Sequence, residues 1–373
     1  NAVCLLTYLK VLSITQIYSI DSKNYYATIA VGNKTVLYSR CIGQWKGGTN
    51  LRQDILDYLL EHKGEFVSGQ KISDMFGISR TAVWKHIRVL KQRGYVIESF
   101  TKKGYCLKEA PELLHPDAVT HALPTKVIGQ NLIYYEKTDS TNTLAKKLAN
   151  EGAKEGTVVV AEEQSGGRGR LNRSFLSPFA QGLWFSLILR PPFLPMEVSK
   201  MTLLAAVAIT HALRQQGLEC GIKWPNDILV HDKKIVGILT ELNASMEKIN
   251  YLIMGIGINT GITKKMLPRD LKKTVTSFAM ENVPVNRTQL LRDVFCDLEH
   301  YYFEAEKEGF SPILEEWKKL SCMLGKDVEV AMPDRTFSGT AVDLDESGNL
   351  LVRTDSGIER VLAGDVRVRP IQS

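Results

Sequence analysis

The sequence predicts an α+β chain of two or three domains, and three observations carry that expectation. Between residues 51 and 110, three helical stretches punctuated by glycine give way to a hairpin. In the centre, strand-like and helical runs mix without the regular alternation of a βαβ array. From 325 to 369, apolar and polar residues alternate between the turn signals "DESGN" and "TDSG", the pattern of a small β-barrel. The bulk figures agree: 373 residues with 44% hydrophobic and 24% charged content describe an ordinary globular chain long enough for a large core.

The net charge of +6 hints at an anionic partner but is small enough to be a solvated surface, so its location matters more than its sum. Six cysteines, Cys4, Cys41, Cys106, Cys220, Cys296 and Cys322, lie far apart with no CxxC and no histidine at ligand spacing. No metal site and no disulfide scaffold is expected, and a reducing cytoplasm is. The apolar runs read as too short and too interrupted by charge to cross a bilayer, and no secretory pattern is clear. Residues 1–50 have strand-like composition, lack an initial Met and close on "KGGTN"; they are expected to be an extension outside the functional core, with a small extra β element as the alternative.

The helix at "LRQDILDYLLEHKG" is expected to bury Leu51, Ile55, Leu56, Leu59 and Leu60 and to stop at Gly64. A second runs from the N-cap Ser68 to Gly77, and a third from Ser79 to Gly94 with Val83, Ile87 and Leu90 inward. The hairpin "YVIESFTKKGYCLK" has a basic tip, so the segment spells a winged helix-turn-helix. Eleven Lys and Arg against seven Asp and Glu over 51–110 give this segment +4 of the excess. Arg80, Thr81, Trp84, Lys85 and Arg88 on the third helix, with Lys102 and Lys103 at the wing tip, are candidate DNA contacts. The alternative is a solvated basic helix in a protein-binding module.

After a linker around "KEAPELLHPDAV", a strand runs into a helix with "DSTN" (139–142) at the junction where caps belong. Between two further strands, "SGGRGRLNR" gathers Gly166, Gly167, Gly169, Arg168, Arg170 and Arg173. Glycines let backbone N–H groups close around an oxygen-rich group, and guanidinium forks match phosphate or carboxylate, so the loop reads as an anion clamp. The alternative is a disordered basic loop on nucleic acid. "KWPND" forms a rigid turn at a sheet end, with Lys234 before the strand 235–239. Neither GxxxxGK[ST] nor a complete GxGxxG is present, which argues against a P-loop or Rossmann site.

"SRTAVWKHI", "STN", "EEQSGGRGR", "KWPND", "KKIVGILTEL" and "GIGIN" occur in this order, and with them residues 51 to about 370 resemble the bifunctional biotin protein ligase and biotin operon repressor family. The resemblance implies domains at 51–110 (winged helix-turn-helix), 111–322 (a mixed-sheet catalytic core like that of class II aminoacyl-tRNA synthetases) and 323–373 (an SH3-like barrel). It implies that biotin and ATP, with Mg²⁺, form biotinyl-5′-AMP, and that biotin passes to a lysine of biotin carboxyl carrier protein. The adenylate-bound form is implied to be a homodimer on operator DNA. Arg168, Arg170 and Lys234 are then the catalytic cations. Ser140, Thr141, Asn142, Gln164 and Gly169 join them around biotin, while Arg173, Phe175 and Asn259 face the adenylate. Phe175 stands where the family pattern has Trp, with a smaller ring and no N–H. Two other readings remain: a lipoate-protein ligase, against which the polar "STN" speaks, and a ligand sensor without catalysis, against which the loop arginines and Lys234 speak.

Overall fold

The computed structural model describes residues 16–21, 26–31, 34–39, 51–245, 248–332, 335–362 and 364–368, arranged as two compact units, 1–109 and 110–373. In the first, β1 (Gln16–Asp21), β2 (Tyr26–Val31) and β3 (Lys34–Ser39) form an antiparallel sheet in that order, which is the small β element foreseen as the alternative for this stretch.

The helices α1 (Leu51–Glu61), α2 (Gly69–Phe76) and α3 (Arg80–Gln92) follow, then the hairpin β4 (Val96–Phe100) and β5 (Gly104–Glu109). Ser68 accepts from Lys71 N–H at 3.0 Å, and Ser79 from Ala82 N–H at 3.2 Å, so both expected N-caps are made. Gly77 closes α2 at φ 64°, where a Cβ is unfavourable. Val83, Ile87 and Leu90 are buried as their spacing requires. Leu60 is not: at 100° per residue it leaves the stripe of Ile55, Leu56 and Leu59, lies 41% exposed, and Tyr58 is buried instead. Val67 and Tyr105 exchange backbone bonds of 2.8 Å, which ties the segment before α2 to the wing.

The second unit opens with Leu114 already buried and a short helix, α4 (Pro116–Thr120), where a linker was expected. Leu114 N–H donates to Glu162 Oε1 at 2.7 Å, so the linker is part of the fold. The strands β6 (Leu132–Thr138), β7 (Val158–Gln164), β8 (Gly182–Leu189), β9 (Gly221–Lys223), β10 (Asp227–Val230), β11 (Lys233–Ala244) and β12 (Ile249–Asn259) make one mixed sheet ordered β6-β7-β8-β12-β11-β10-β9. Within it, β6 and β7 run parallel and the other neighbours antiparallel. Helix α5 (Thr141–Asn150) joins β6 to β7 and packs Ala145 and Ala149 against Val159, Ile188 and Ile253. Helices α6 (Val198–Gln215), α7 (Arg287–Glu308) and α8 (Ser311–Leu320) share the larger core with the sheet.

Residues 195–215 are long and apolar enough to cross a membrane, contrary to the reading of the sequence. Eleven residues of α6, from Met201 to Leu213, are instead buried in the core, which accounts for the apolar run. Of the aromatic run 301–303 in α7, Tyr302 is buried, whereas Phe303 faces out at 37% exposure. A five-stranded antiparallel sheet closes the unit, with β13 (Asp327–Ala331), β14 (Thr336–Leu344), β15 (Leu350–Thr354), β16 (Gly357–Val361) and β17 (Asp365–Val368) in the order β16-β15-β14-β13-β17.

Candidate active site

The basic loop hangs from β7 and is fastened at its base. Ser165 N–H donates to Thr138 O at 2.9 Å, Gly166 N–H to Asp139 O at 2.8 Å, and Phe175 N–H to Gly167 O at 2.8 Å. A Cβ on Gly167 would fall 2.5 Å from Phe175 O, so this glycine serves close backbone approach. At the tip, Gly169 N–H donates to Arg173 O at 2.7 Å. The amides of Gly166 and Gly169 are thus bonded to backbone carbonyls, the first outside the loop and the second within it, rather than free to close around an anion as expected; the side chains carry the charge.

At one end of the site the start of α5 builds a polar corner. Ser140 sits at the N-cap position but its hydroxyl makes no capping bond; Asp139 Oδ1 takes the Ser140 N–H instead, at 2.7 Å. Gln164 Oε1 accepts from Thr141 N–H at 2.9 Å and lies 3.1 Å from Thr141 Oγ1, while Gln164 Nε2 donates to Ser177 Oγ at 2.9 Å. Asn142 Nδ2 donates to Glu241 Oε2 at 2.7 Å, and Ser186 Oγ lies 2.5 Å from Asn142 Oδ1. Gly237, Gly255 and Gly257 on β11 and β12 form the floor. A Cβ on Gly255 would collide with Asn142 Oδ1, and one on Gly257 with the Phe175 ring.

Ser140, Thr141, Asn142, Gln164, Arg168, Gly169, Phe175 and Lys234 line this first cavity of about 40 Å³. A second, of about 610 Å³, is lined by Arg170, Arg173, Asn259, Asp227, Asp365 and Arg367. Gly169, Phe175, Asn226 and Lys234 border both, so they form the neck between the two. Phe175 stands edge-on to Trp184 at 5.9 Å between ring centroids, with Lys234 Nζ 5.7 Å from its own centroid. Lys234 lies inside β11 rather than before the strand, and its Nζ is 2.6 Å from Asp227 Oδ1.

The expected cations therefore divide. Arg168 is exposed and Lys234 half-buried, both lining the first cavity. Arg170 donates to Asn226 Oδ1 and to Gly364 O, each at 3.2 Å, and borders the second cavity rather than the first. Arg173 is ion-paired with Asp365. Asn259 Nδ2 donates to Thr276 O at 2.9 Å, which holds its amide at the cavity wall. Asn226 and Asp227 belong to the turn "KWPND" read at a sheet end, whereas Ser186, Ser177, Glu241 and the three floor glycines were missed. A lone hydroxyl in the apolar run "LWFSLIL" was the legible sign of Ser186; Glu241 carried none. Among the described residues no group of three or more His, Cys, Asp or Glu is placed to hold a metal ion.

In the first unit, Arg80, Thr81, Trp84, Lys85, Arg88, Lys102 and Lys103 are all exposed. Arg80, Thr81, Trp84, Arg88, Lys91 and Lys102 line one groove. Lys103 lies over the Phe66 ring at 5.7 Å, and Arg88 over Trp84 at 5.6 Å. Burial, and the Arg52 guanidinium behind it, hold His86 below the usual imidazole range, so at neutral pH the positive charge of α3 rests on its Arg and Lys.

Comparison with known proteins agrees with this layout. The biotin/lipoate A/B protein ligase family profile matches residues 134–259, an HTH domain profile matches 51–106, and the biotin protein ligase C-terminal domain profile matches 323–369. The bifunctional ligase/repressor BirA of Bacillus subtilis is 39% identical over 322 residues, covering 86% of this chain and 99% of that protein. The chain belongs to the bifunctional biotin ligase/repressor family. The Escherichia coli member is 29% identical over 316 residues, covering 82% of this chain and 94% of its own. Among solved structures, a biotin protein ligase from Aquifex aeolicus in complex with biotin and ATP is similar at a TM-score of 0.57 and 28% identity, covering 64% of this chain and all of that one.

Proposed function

We propose that the protein adenylates biotin with ATP, transfers it to a lysine of biotin carboxyl carrier protein, and represses biotin genes with the adenylate as corepressor. The observation that carries this reading is the shared neck: a carboxylate reaching out of the polar corner and an α-phosphate reaching in from the larger cavity meet beside Lys234. That meeting joins two anions and spreads negative charge over phosphate oxygens, so fixed cations and proximity are what the reaction requires. Arg168 and Lys234 supply charge at the neck; Arg170 steadies Asn226 from the nucleotide side.

The ureido ring fits the corner by chemistry. Ser140, Thr141, Asn142 and Gln164 offer donors and acceptors to a group that has both, whereas a dithiolane has neither N–H nor carbonyl to meet them. This favours biotin over lipoate. The free space of about 40 Å³ holds a few waters and not a bicyclic ring, so entry displaces the loop 166–175 and loop closure follows binding. Adenine fits against Phe175 and Asn259. Mg²⁺ would enter with ATP and would offset the charge of its phosphates.

The carboxyl oxygen attacks the α-phosphorus and pyrophosphate leaves. The acceptor amine then attacks the acyl carbon of the mixed anhydride and AMP leaves, with no nucleophilic side chain of the enzyme involved. The adenylate-ordered loop favours a homodimer, which places two winged helices on two half-sites in the cytoplasm. The test combines both activities in one preparation: biotin incorporated into carrier protein, and adenylate-dependent retardation of operator DNA. Absence of incorporation would overturn the ligase reading, and retardation unchanged without adenylate would overturn the corepressor reading.

A further inference from the structure

Asn142 has an amide whose two ends differ, and the protein fixes which end faces the ligand. Its Nδ2 lies 2.7 Å from Glu241 Oε2 and 3.5 Å from Leu239 O, both acceptors, so the donor end is turned out of the cavity. A carboxylate cannot donate, so the opposite orientation would set two oxygens against each other. Lys146 holds the other Glu241 oxygen, Nζ to Oε1, and keeps the carboxylate in place. On the inner side, Ser186 Oγ lies 2.5 Å from Asn142 Oδ1 and 2.7 Å from Thr141 Oγ1. Ser186 has one proton for both, and Oδ1 is able only to accept it. The absence of a side chain at Gly255 makes the room that the amide occupies, since a Cβ there would fall 2.0 Å from Oδ1.

We propose that Glu241 is a positioning residue that sets the polarity of the ring pocket: by pinning the Asn142 amide it presents the second lone pair of Oδ1, and no donor, to a ureido N–H. Lys146, Glu241, Asn142 and Ser186 then form one relay from the surface to the ligand. Asn142 is 8% exposed, and among the described residues no other side chain accepts from its Nδ2. The inference rests on the reading that the ureido ring occupies this corner.

The test exploits the reversal of donor and acceptor. In Glu241→Gln the new amide no longer dictates the orientation of Asn142. In Asn142→Asp two carboxylates confront each other. In the double variant one oxygen of the carboxylate introduced at position 142 accepts from the amide introduced at position 241, and its other oxygen still faces the ring. Steady-state pyrophosphate exchange is measured with biotin and with ATP varied in turn, and each variant's thermal melt is recorded.

Each single variant is expected to raise the KM for biotin about tenfold, with kcat and the KM for ATP within about twofold. The double variant is expected to restore the KM for biotin to within about threefold. An unchanged KM in Glu241→Gln, or additive losses in the double variant, would overturn the positioning role. Asn142→Ala separates this from the reading beneath it: if it too leaves the KM for biotin unchanged, the ring does not bind in this corner, and both statements fall.

Discussion

Lys234 Nζ lies 2.6 Å from Asp227 Oδ1 at the neck between the two cavities, a cation held by a partner on the neighbouring strand β10. On the proposed reading the pairing holds the ammonium where a carboxylate and a phosphate meet, and it restricts the side chain's freedom before substrate arrives. Lys234→Gln keeps the length and removes the charge. It is expected to lower kcat for adenylation by roughly 10²–10³-fold, a loss that single-turnover kinetics at saturating biotin and ATP would register. An undiminished rate would remove Lys234 from the chemistry.

Arg168 differs in that it is exposed and lines the first cavity from the loop. Its charge is expected to act on the bound adenylate. Arg168→Ala should therefore speed release of biotinyl-5′-AMP by roughly 10–100-fold, the size of a lost charge-assisted hydrogen bond. The melting temperature should be unaffected. Stopped-flow release of the adenylate is the measurement, and unchanged release would contradict the assignment.

Glu162 and Arg287 form a buried pair at 2.7 Å, with the glutamate side chain fully inaccessible. Glu162 also takes the Leu114 N–H, and Arg287 donates to Gly182 O at 2.7 Å and Glu112 O at 2.6 Å, so the pair fastens the start of the second unit to its sheet. Glu162→Ala leaves an uncompensated buried guanidinium and is expected to cost about 3–5 kcal/mol in urea unfolding. A cost below about 1 kcal/mol would mean that water reaches the site.

These pairings mark the limit of what the linear sequence discloses. The caps Ser68 and Ser79 and the turn at Gly77 were legible, because a cap is a bond between residues three or four apart. Arg168 and Lys234 were legible as charges in a patterned context. Glu241 was not: its partners Asn142 and Lys146 lie 99 and 95 positions away and meet it only when α5 crosses the sheet. Leu60 misled because a leucine one step off the stripe looks like its neighbours in sequence yet points to solvent. The linker around 108–119 misled because its prolines read as a break, whereas the buried Leu114 is tied down by an acceptor, Glu162, far along the chain.

The exposed cations of α3 predict how DNA binding responds to salt. Replacing Arg80 or Arg88 with alanine is expected to weaken operator binding and, for a phosphate contact, to reduce the slope of log K against log salt by about one unit. Fluorescence anisotropy over a salt series measures it. Adenylation is expected to be unaltered in both variants, and a parallel loss of adenylation would show that the substitution disturbs more than the DNA face.

The central claim is that the corner beside Asn142 selects a ureido ring whose carboxylate meets ATP at Lys234. ATP–pyrophosphate exchange by the purified protein with Mg²⁺, with biotin or lipoate as the added acid, tests it most directly. Exchange that depends on biotin and is absent with lipoate is the predicted result. Exchange with lipoate alone, or with neither acid in a preparation whose unfolding is cooperative, would contradict it.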